Sequence, residues 1–154
     1  TASGYYKDPE TTAQMWTKDG WYRTGDLGKL DESGNLMIVG REKDMIIRGG
    51  QNIYPIEIVN LLLNHPKVAD AGIVAIPDSK MGEKACACIV PRPGQQISFD
   101  EIVSFLKSKR IAAYKMPEKL LIMGKLPYVG GMKLDRKALQ AEAVKTLKNR
   151  GELQ

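Results

Sequence analysis

Gly40-Arg41-Glu42-Lys43-Asp44-Met45-Ile46-Ile47-Arg48-Gly49-Gly50-Gln51-Asn52-Ile53 is the stretch on which the reading of this chain turns. Charges crowd its first half and glycines its second. Met45-Ile46-Ile47 is a short apolar run that can enter a sheet, and Gly49-Gly50 lets the backbone take positive φ or pass close to a ligand. Alone, this is a strand followed by a tight turn, because paired glycines are ordinary turn punctuation. Its surroundings say more. Upstream lies a polar, turn-rich segment around Arg23-Thr24-Gly25-Asp26, and downstream apolar helix and strand patterns alternate regularly. A change of character at this point predicts a hinge between two bodies.

The chain has 154 residues and 43% apolar content, enough for one good core and part of a second. No apolar run approaches the roughly eighteen residues that a membrane helix needs, and the opening Thr-Ala-Ser-Gly-Tyr-Tyr has neither a basic leader nor a cleavable apolar segment. A cytoplasmic protein is the expectation. The formal charge is +5, from 23 basic and 18 acidic residues, and part of the excess sits between Lys145 and Arg150, where cations suit a helix C-terminus better than they mark a nucleic-acid patch. Cys86 and Cys88 are two apart in a predicted strand, so they share a face and cannot easily bridge each other. With a single histidine, His65, and no Cys-x-x-Cys pair, they read as buried reduced thiols and no metal site is expected.

In chain order, Asp8-Pro9-Glu10 has the form of a helix start leading toward Met15. Residues 28 to 39 read as a hairpin with its turn at Asp31-Glu32-Ser33-Gly34. After the glycines, Pro55 and Glu57 open a helix, with Glu57 a partner of the helix dipole; Ile58, Leu61 and Leu62 form its apolar face and Pro66 ends it. Strands are predicted from Val68 to Pro77 and from Lys84 to Val90. Ser98-Phe99-Asp100-Glu101 has the pattern of a capping box before a helix bearing Ile102, Phe105 and Leu106. A last strand covers Glu118 to Met123, and Asp135 caps a final helix with Leu139, Ala143 and Leu147 on one stripe. From the hinge onward the predicted order is strand, helix, strand, strand, helix, strand, helix. That is an α+β domain with a small mixed or antiparallel sheet flanked by helices and preceded by a β-hairpin.

Three motifs carry a resemblance. The opening stretch resembles the hinge motif of the adenylate-forming superfamily, which includes AMP-dependent acyl-CoA synthetases, adenylation domains of peptide synthetases and luciferases. Tyr22-Arg23-Thr24-Gly25-Asp26-Leu27 looks like the ribose-binding motif that precedes that hinge, and Leu126-Pro127 followed by Lys133 resembles the motif with the catalytic lysine. Tyr114-Lys115-Met116-Pro117 is similar to a further family segment with a structural role. The chemistry suits these residues. A carboxylate on a rigid turn can accept hydrogen bonds from adjacent ribose hydroxyls, and a mobile ammonium can offset charge that develops as a carboxylate attacks the α-phosphorus of ATP. One departure stands out: the family has glycine directly before the lysine, whereas Met132 stands here, with Gly130 and Gly131 earlier.

The resemblance implies that residues 1–41 end a large N-terminal adenylation domain and that 42–154 form a small mobile C-terminal domain, with the hinge at about 41–44 and Lys43 as pivot. It implies Lys133 as the catalytic residue, with Lys125 and Lys137 as the nearest alternatives, and Asp26 with Arg41 at the nucleotide. Arg48, Gly49, Gly50 and Gln51 would line a passage for the pantetheine arm. The activity implied is an ATP-dependent carboxylic acid:CoA ligase that forms an acyl-adenylate and then a thioester by domain rotation. ATP with Mg2+, bound mainly by the large domain, and coenzyme A as co-substrate follow. No Gly-x-x-x-x-Gly-Lys-Ser/Thr is present and the acid-binding domain is missing, so a fragment, inactive alone and able to self-associate, is expected. Its partner would be its own N-terminal domain, with no nucleic acid and no membrane span. Two alternatives stand beside this: a non-catalytic ligand- or partner-binding domain of the same topology, and an aryl-acid adenylation domain that loads a carrier protein. An RNA-binding sheet would need exposed aromatic residues, which the strand patterns after residue 55 scarcely supply.

Overall fold

Proline at the first helical position and a preceding aspartate start the first helix as anticipated: α1 (Pro9–Met15) is capped by Asp8, whose Oδ1 accepts from the Thr11 N–H at 2.9 Å. The structure, a computed structural model, describes residues 2–153. It divides into two compact units, one running to Lys43 and the other beginning at Asp44. In the first unit Trp16 packs between Tyr5 and Tyr22, with ring centroids 5.7 Å and 4.6 Å away. The strands β1 (Asp26–Leu30) and β2 (Leu36–Arg41) form an antiparallel hairpin that pairs Asp26 with Arg41. Asp31 organises the turn by accepting from the N–H groups of Ser33 and Asn35. Leu30, Leu36, Met37 and Ile38 of this hairpin are exposed.

A single 3-10 turn over Glu42–Asp44 carries the chain into the second unit. There β3 (Ile46–Arg48) and β4 (Gln51–Ile53) form a hairpin across Gly49 and Gly50, whose φ values of 55° and 81° give the two left-handed residues of a two-residue turn. The helix α2 (Pro55–Leu62) follows. A long antiparallel pair, β5 (Val68–Asp78) and β6 (Gly82–Pro91), forms the longest ladder of the sheet. Then come α3 (Phe99–Ser108), β7 (Lys119–Ile122), the two-residue strands β8 (Tyr128–Val129) and β9 (Lys133–Leu134), and α4 (Arg136–Asn149). The five-stranded sheet runs β4-β3-β6-β5, with β7 parallel to β6, which makes it mixed.

Alternation along β6 explains the layering. Ala85, Ala87 and Ile89 face one core with Ile58 and Leu62 of α2 and Ile102 and Leu106 of α3, while Cys86 and Cys88 face a second with Leu139, Ala143 and Leu147 of α4. The unit is therefore a helix pair, a sheet and a third helix in layers. β6 is apolar on both faces because it is covered on both. Each fully buried leucine of α4 contributes about 1.5–3 kcal/mol. Asp135 caps that helix, accepting from the Ala138 N–H at 3.0 Å.

Several details depart from the sequence reading. The strand β4 was not anticipated, because Gln51-Asn52-Ile53 is too short and polar to show a period. The helix α2 stops at Leu62, not at Pro66, and the chain turns through Leu63-Asn64-His65. Only half of a capping box forms: Ser98 Oγ accepts from the Glu101 N–H, but the Glu101 carboxylate pairs with Lys67 at 2.8 Å. Glu57, by contrast, stands in the first turn of α2 as read, and in addition makes a 2.6 Å ion pair with Lys115, which ties α2 to the 3-10 turn at Ala113–Lys115.

Candidate functional site

In the first unit, the register of β1 and β2 brings two of the proposed ligand-binding residues together. Arg41 Nε lies 2.8 Å from Asp26 Oδ1, with the side chains 47% and 26% exposed. An exposed pair of this kind adds only about 0–1 kcal/mol to stability, so it gains the fold little. Its backbone is nonetheless fixed: Gly25 sits at φ +72°, the Asp26 N–H donates to Thr24 Oγ1 at 3.0 Å, and the Glu42 N–H donates to the Gly25 carbonyl at 2.9 Å. The result is a carboxylate and a guanidinium presented side by side at one end of a hairpin. Lys43 lies two residues beyond, exposed in the 3-10 turn.

In the second unit, Lys133 is not on a free glycine loop. It opens β9, opposite Val129 of β8, and Gly130 and Gly131 form the turn at φ 60° and 75°. Those two positions are where glycine is required. Met132, 92% exposed, does not occupy the left-handed region, which is why a methionine is accommodated directly before the lysine. The ribbon is anchored at several points: the Asp135 N–H donates to the Pro127 carbonyl at 2.9 Å, Tyr128 Oη donates to Asp70 Oδ2 at 2.9 Å, and Leu126 is buried in the second core. Burial, with the Asp70 hydrogen bond, raises the Tyr128 phenol above its ordinary range, so it remains a donor. Arg136, three residues after the lysine, pairs with Asp44 beside the hinge, Nε to Oδ2 at 3.2 Å. Lys133 itself is exposed, as are Lys125 and Lys137.

The turn with Arg48, Gly49, Gly50 and Gln51 lies elsewhere on the same unit. The Gly49 N–H donates to the Met81 carbonyl at 2.9 Å, and Arg48 pairs with Gly82 at the β5–β6 turn. A Cβ at Gly49 would come within 2.9 Å of Met81 Sδ, whereas Gly50 has open space around it. Arg48 donates to Glu118 Oε1 at 2.9 Å, and that bond raises its already high pKa further. The lysine ribbon is tied to Asp70, near the start of β5, while the glycine turn is tied to Met81, just past the end of the strand at Asp78. Eight residues of strand at about 3.3 Å each separate these anchors, roughly 26 Å. The two elements thus belong to opposite ends of the sheet.

Other titratable groups read as structural. His65 is buried against Phe105, with Nδ1 accepting from the Lys67 N–H at 3.2 Å. The neighbouring Cys88 thiol, and then burial, push the Cys86 thiol far up, so it is no nucleophile. Among the described residues no group of three or more His, Cys, Asp or Glu side chains is placed to hold a metal ion, and no helix is long and apolar enough to cross a membrane. Sequence reasoning missed the pairs Asp44–Arg136, Arg48–Glu118 and Tyr128–Asp70. No local signal could have found them, because each joins charged or polar residues on separate elements.

Comparison with known proteins gives the family and the fold. The family model described as the AMP-binding enzyme C-terminal domain matches residues 57–131, a span that begins after the glycine turn and stops just short of Lys133. A medium-chain fatty-acid–CoA ligase of Escherichia coli (strain K12) is 41% identical over 145 residues, which is 94% of this chain and 26% of that protein. A salicylyl-CoA synthase / salicylate adenylyltransferase of a Streptomyces species is 44% identical over 140 residues, 91% of this chain and 25% of that protein. The crystal structure of ATP-bound MatB from Rhodopseudomonas palustris superposes with a TM-score of 0.84 at 33% identity, covering 93% of this chain and 28% of that one. The chain thus spans about a quarter of the length of the relatives it matches.

Proposed function

Since the chain belongs to the adenylate-forming superfamily, in its AMP-dependent acyl-CoA synthetase branch, we propose that it supplies the mobile C-terminal part of an ATP-dependent carboxylic acid:CoA ligase. Residues 1–41 would close the large N-terminal domain and residues 42–154 would form the small one, with Lys43 as pivot. In the first half-reaction the acid's carboxylate attacks the α-phosphorus of ATP, giving an acyl-adenylate and pyrophosphate. Asp26 would accept from the ribose hydroxyls and Arg41 would hold that carboxylate while contacting the nucleotide. Lys133 would bring its ammonium to the oxygens that gain negative charge, and its ribbon would fix the approach.

In the second half-reaction the thiol of coenzyme A attacks the acyl carbon, and a thioester and AMP leave. The Arg48–Gln51 turn would then line the passage of the pantetheine arm, where the open space at Gly50 leaves room for a thin chain. The observation that carries this reading is the separation of about 26 Å between the anchors of the lysine ribbon and the glycine turn on one small unit. Elements so far apart cannot both reach one reacting carbon at once, so one unit would serve two steps by presenting one end and then the other. Catalysis then requires the large domain. Magnesium finds no ligand cluster among the described residues and its binding would fall to that domain. The two buried free thiols suit a reducing compartment, and we place the protein in the cytoplasm.

The test is acid-dependent AMP formation from ATP by the intact parent protein, with and without coenzyme A, using octanoate and salicylate first because relatives are named for such acids. Lys133→Ala is expected to slow adenylation roughly a hundredfold or more while still converting supplied acyl-adenylate and coenzyme A to thioester. A variant that adenylates normally, or a parent protein that turns over no acid in a broad panel, would overturn the proposal.

A further inference from the structure

Strand β6 has two edges. β5 occupies one along its whole length, and the other is shared by two short strands set end to end: β3 meets it at Gly82, and β7 pairs with it from Cys86 to Ile89. Between them the Glu118 N–H donates to the Ala85 carbonyl at 2.8 Å. No ladder bonds join β3 to β7. The junction is crossed by side chains instead, with the Arg48 guanidinium donating to Glu118 Oε1 at 2.9 Å and both side chains about three-quarters buried. Glu118 Oε2 is buried and has no hydrogen-bond partner among the described residues. Lys84 of β6, paired with Asp78 of β5, stands close by, so charges of both signs gather around this junction.

Arg48 immediately precedes Gly49 and Gly50. Two successive glycines have many accessible backbone states, so a conformation useful for binding must be imposed from outside. Two bonds fix the turn toward β6, Gly49 N–H to the Met81 carbonyl and Ile47 N–H to Glu83 Oε2 at 2.8 Å, but both partners lie at the tip of the β5–β6 hairpin. Glu118 instead immediately precedes β7, its own N–H bonded to the Ala85 carbonyl of β6, and Leu120 of that strand packs against the first core. We propose that Glu118 is the positioning residue of the thiol-delivery turn: through Arg48 it holds the Arg48–Gln51 turn in the form that receives the pantetheine arm. The inference rests on the ligase reading above. Glu118 touches no reacting atom and acts only through Arg48.

A merely structural ion pair would affect both half-reactions alike, whereas a positioning pair affects the thiol step alone. The experiment uses the intact parent protein and separates the halves: pyrophosphate exchange with octanoate for adenylation, and thioester formation from supplied octanoyl-adenylate across a range of coenzyme A concentrations. Glu118→Gln is expected to raise the KM for coenzyme A about tenfold, the effect of losing one charge-assisted hydrogen bond, with exchange unchanged within about twofold. Glu118→Asp, which keeps the charge, is expected to recover part of that loss. An unchanged KM, or a parallel fall of both half-reactions with a lowered unfolding temperature in both variants, would overturn the assignment while the ligase reading stands. Failure of the unsubstituted parent protein to convert octanoyl-adenylate or salicylyl-adenylate would remove the ligase reading and this inference together.

Discussion

Gly72→Ala probes where the lysine ribbon sits. Gly72 lies mid-way along β5 opposite Cys88, on the face that α4 covers, and its φ is not positive, so alanine brings no backbone strain. The methyl group would come within 2.6 Å of Leu139 Cδ2, 3.6 Å of Leu134 Cδ2 and 3.7 Å of Leu126 Cδ1. Only the first contact is too close, but Leu139 is fully buried and has nowhere to retreat without moving the start of α4. Overpacking of this kind costs about 1–3 kcal/mol, offset by about 0.4–1 kcal/mol from the stiffer unfolded chain. A net loss of roughly 1–2 kcal/mol lowers the unfolding temperature by about 3–8 °C for a unit of this size. Leu126, Leu134 and Leu139 flank Lys133 on both sides in sequence, so the displacement should also slow adenylation in the parent protein while leaving thioester formation from supplied adenylate intact. Thermal unfolding followed by circular dichroism measures the first effect, with Gly124→Ala as control, since that glycine has no positive φ and nothing within 4 Å. If the two variants melt within about 1 °C of each other, the ribbon is not seated on Gly72 as described.

Two further outcomes follow from single contacts. Tyr128→Phe removes the hydroxyl that donates to Asp70 and keeps the ring; a loss of about 1 kcal/mol and a severalfold slower adenylation are expected, and an equal slowing of both half-reactions would refute the anchoring role. Asp78 is held at about 2 by the Lys84 ammonium and by the N–H groups of Met81 and Lys80. A depressed folded-state pKa means that its stabilisation is complete above the ordinary carboxylate value near 4 and is lost as pH falls toward about 2. Unfolding curves between about pH 5 and pH 2 should therefore lose part of their slope in Asp78→Asn, and an unchanged slope would show that the carboxylate contributes nothing to acid sensitivity.

The candidate site was legible where chemistry coincides with sequence proximity. Asp26 and Arg41 lie just outside the two ends of the hairpin predicted for residues 28 to 39, and they come opposite each other through a register shift between Leu27 and Gly28 that the turn at Asp31–Gly34 does not encode. The lysine's surroundings were less so. Gly130 and Gly131 suggest a loose loop when read alone, and the two-residue strands on either side show no period to contradict it. Fixing the ribbon takes Tyr128 on Asp70 and Leu134 against α4, contacts that span dozens of residues or depend on which helix covers which face. Glu101 shows the converse. Its spacing from Ser98 fits a capping box, but Lys67, far away in sequence, offers a full charge and takes the carboxylate.

By itself the sequence determined what periodicity and end signals encode: α4 with its Asp135 cap and buried Leu139, Ala143 and Leu147, the β5–β6 pair with both cysteines on one face, and the α+β class. These depend on neighbours within a turn or a strand, and short-range sterics and burial act on them in any fold. Tertiary structure alone decided that β3 and β7 share an edge of β6, that Arg48 meets Glu118 across the gap, and that the lysine ribbon and the glycine turn stand at opposite ends of one sheet. A charge does not carry the address of its partner, and a strand's pattern fixes which side is buried, not which strand lies beside it. Those choices are made when the two cores close on β6 and leave each side chain only the neighbours within reach.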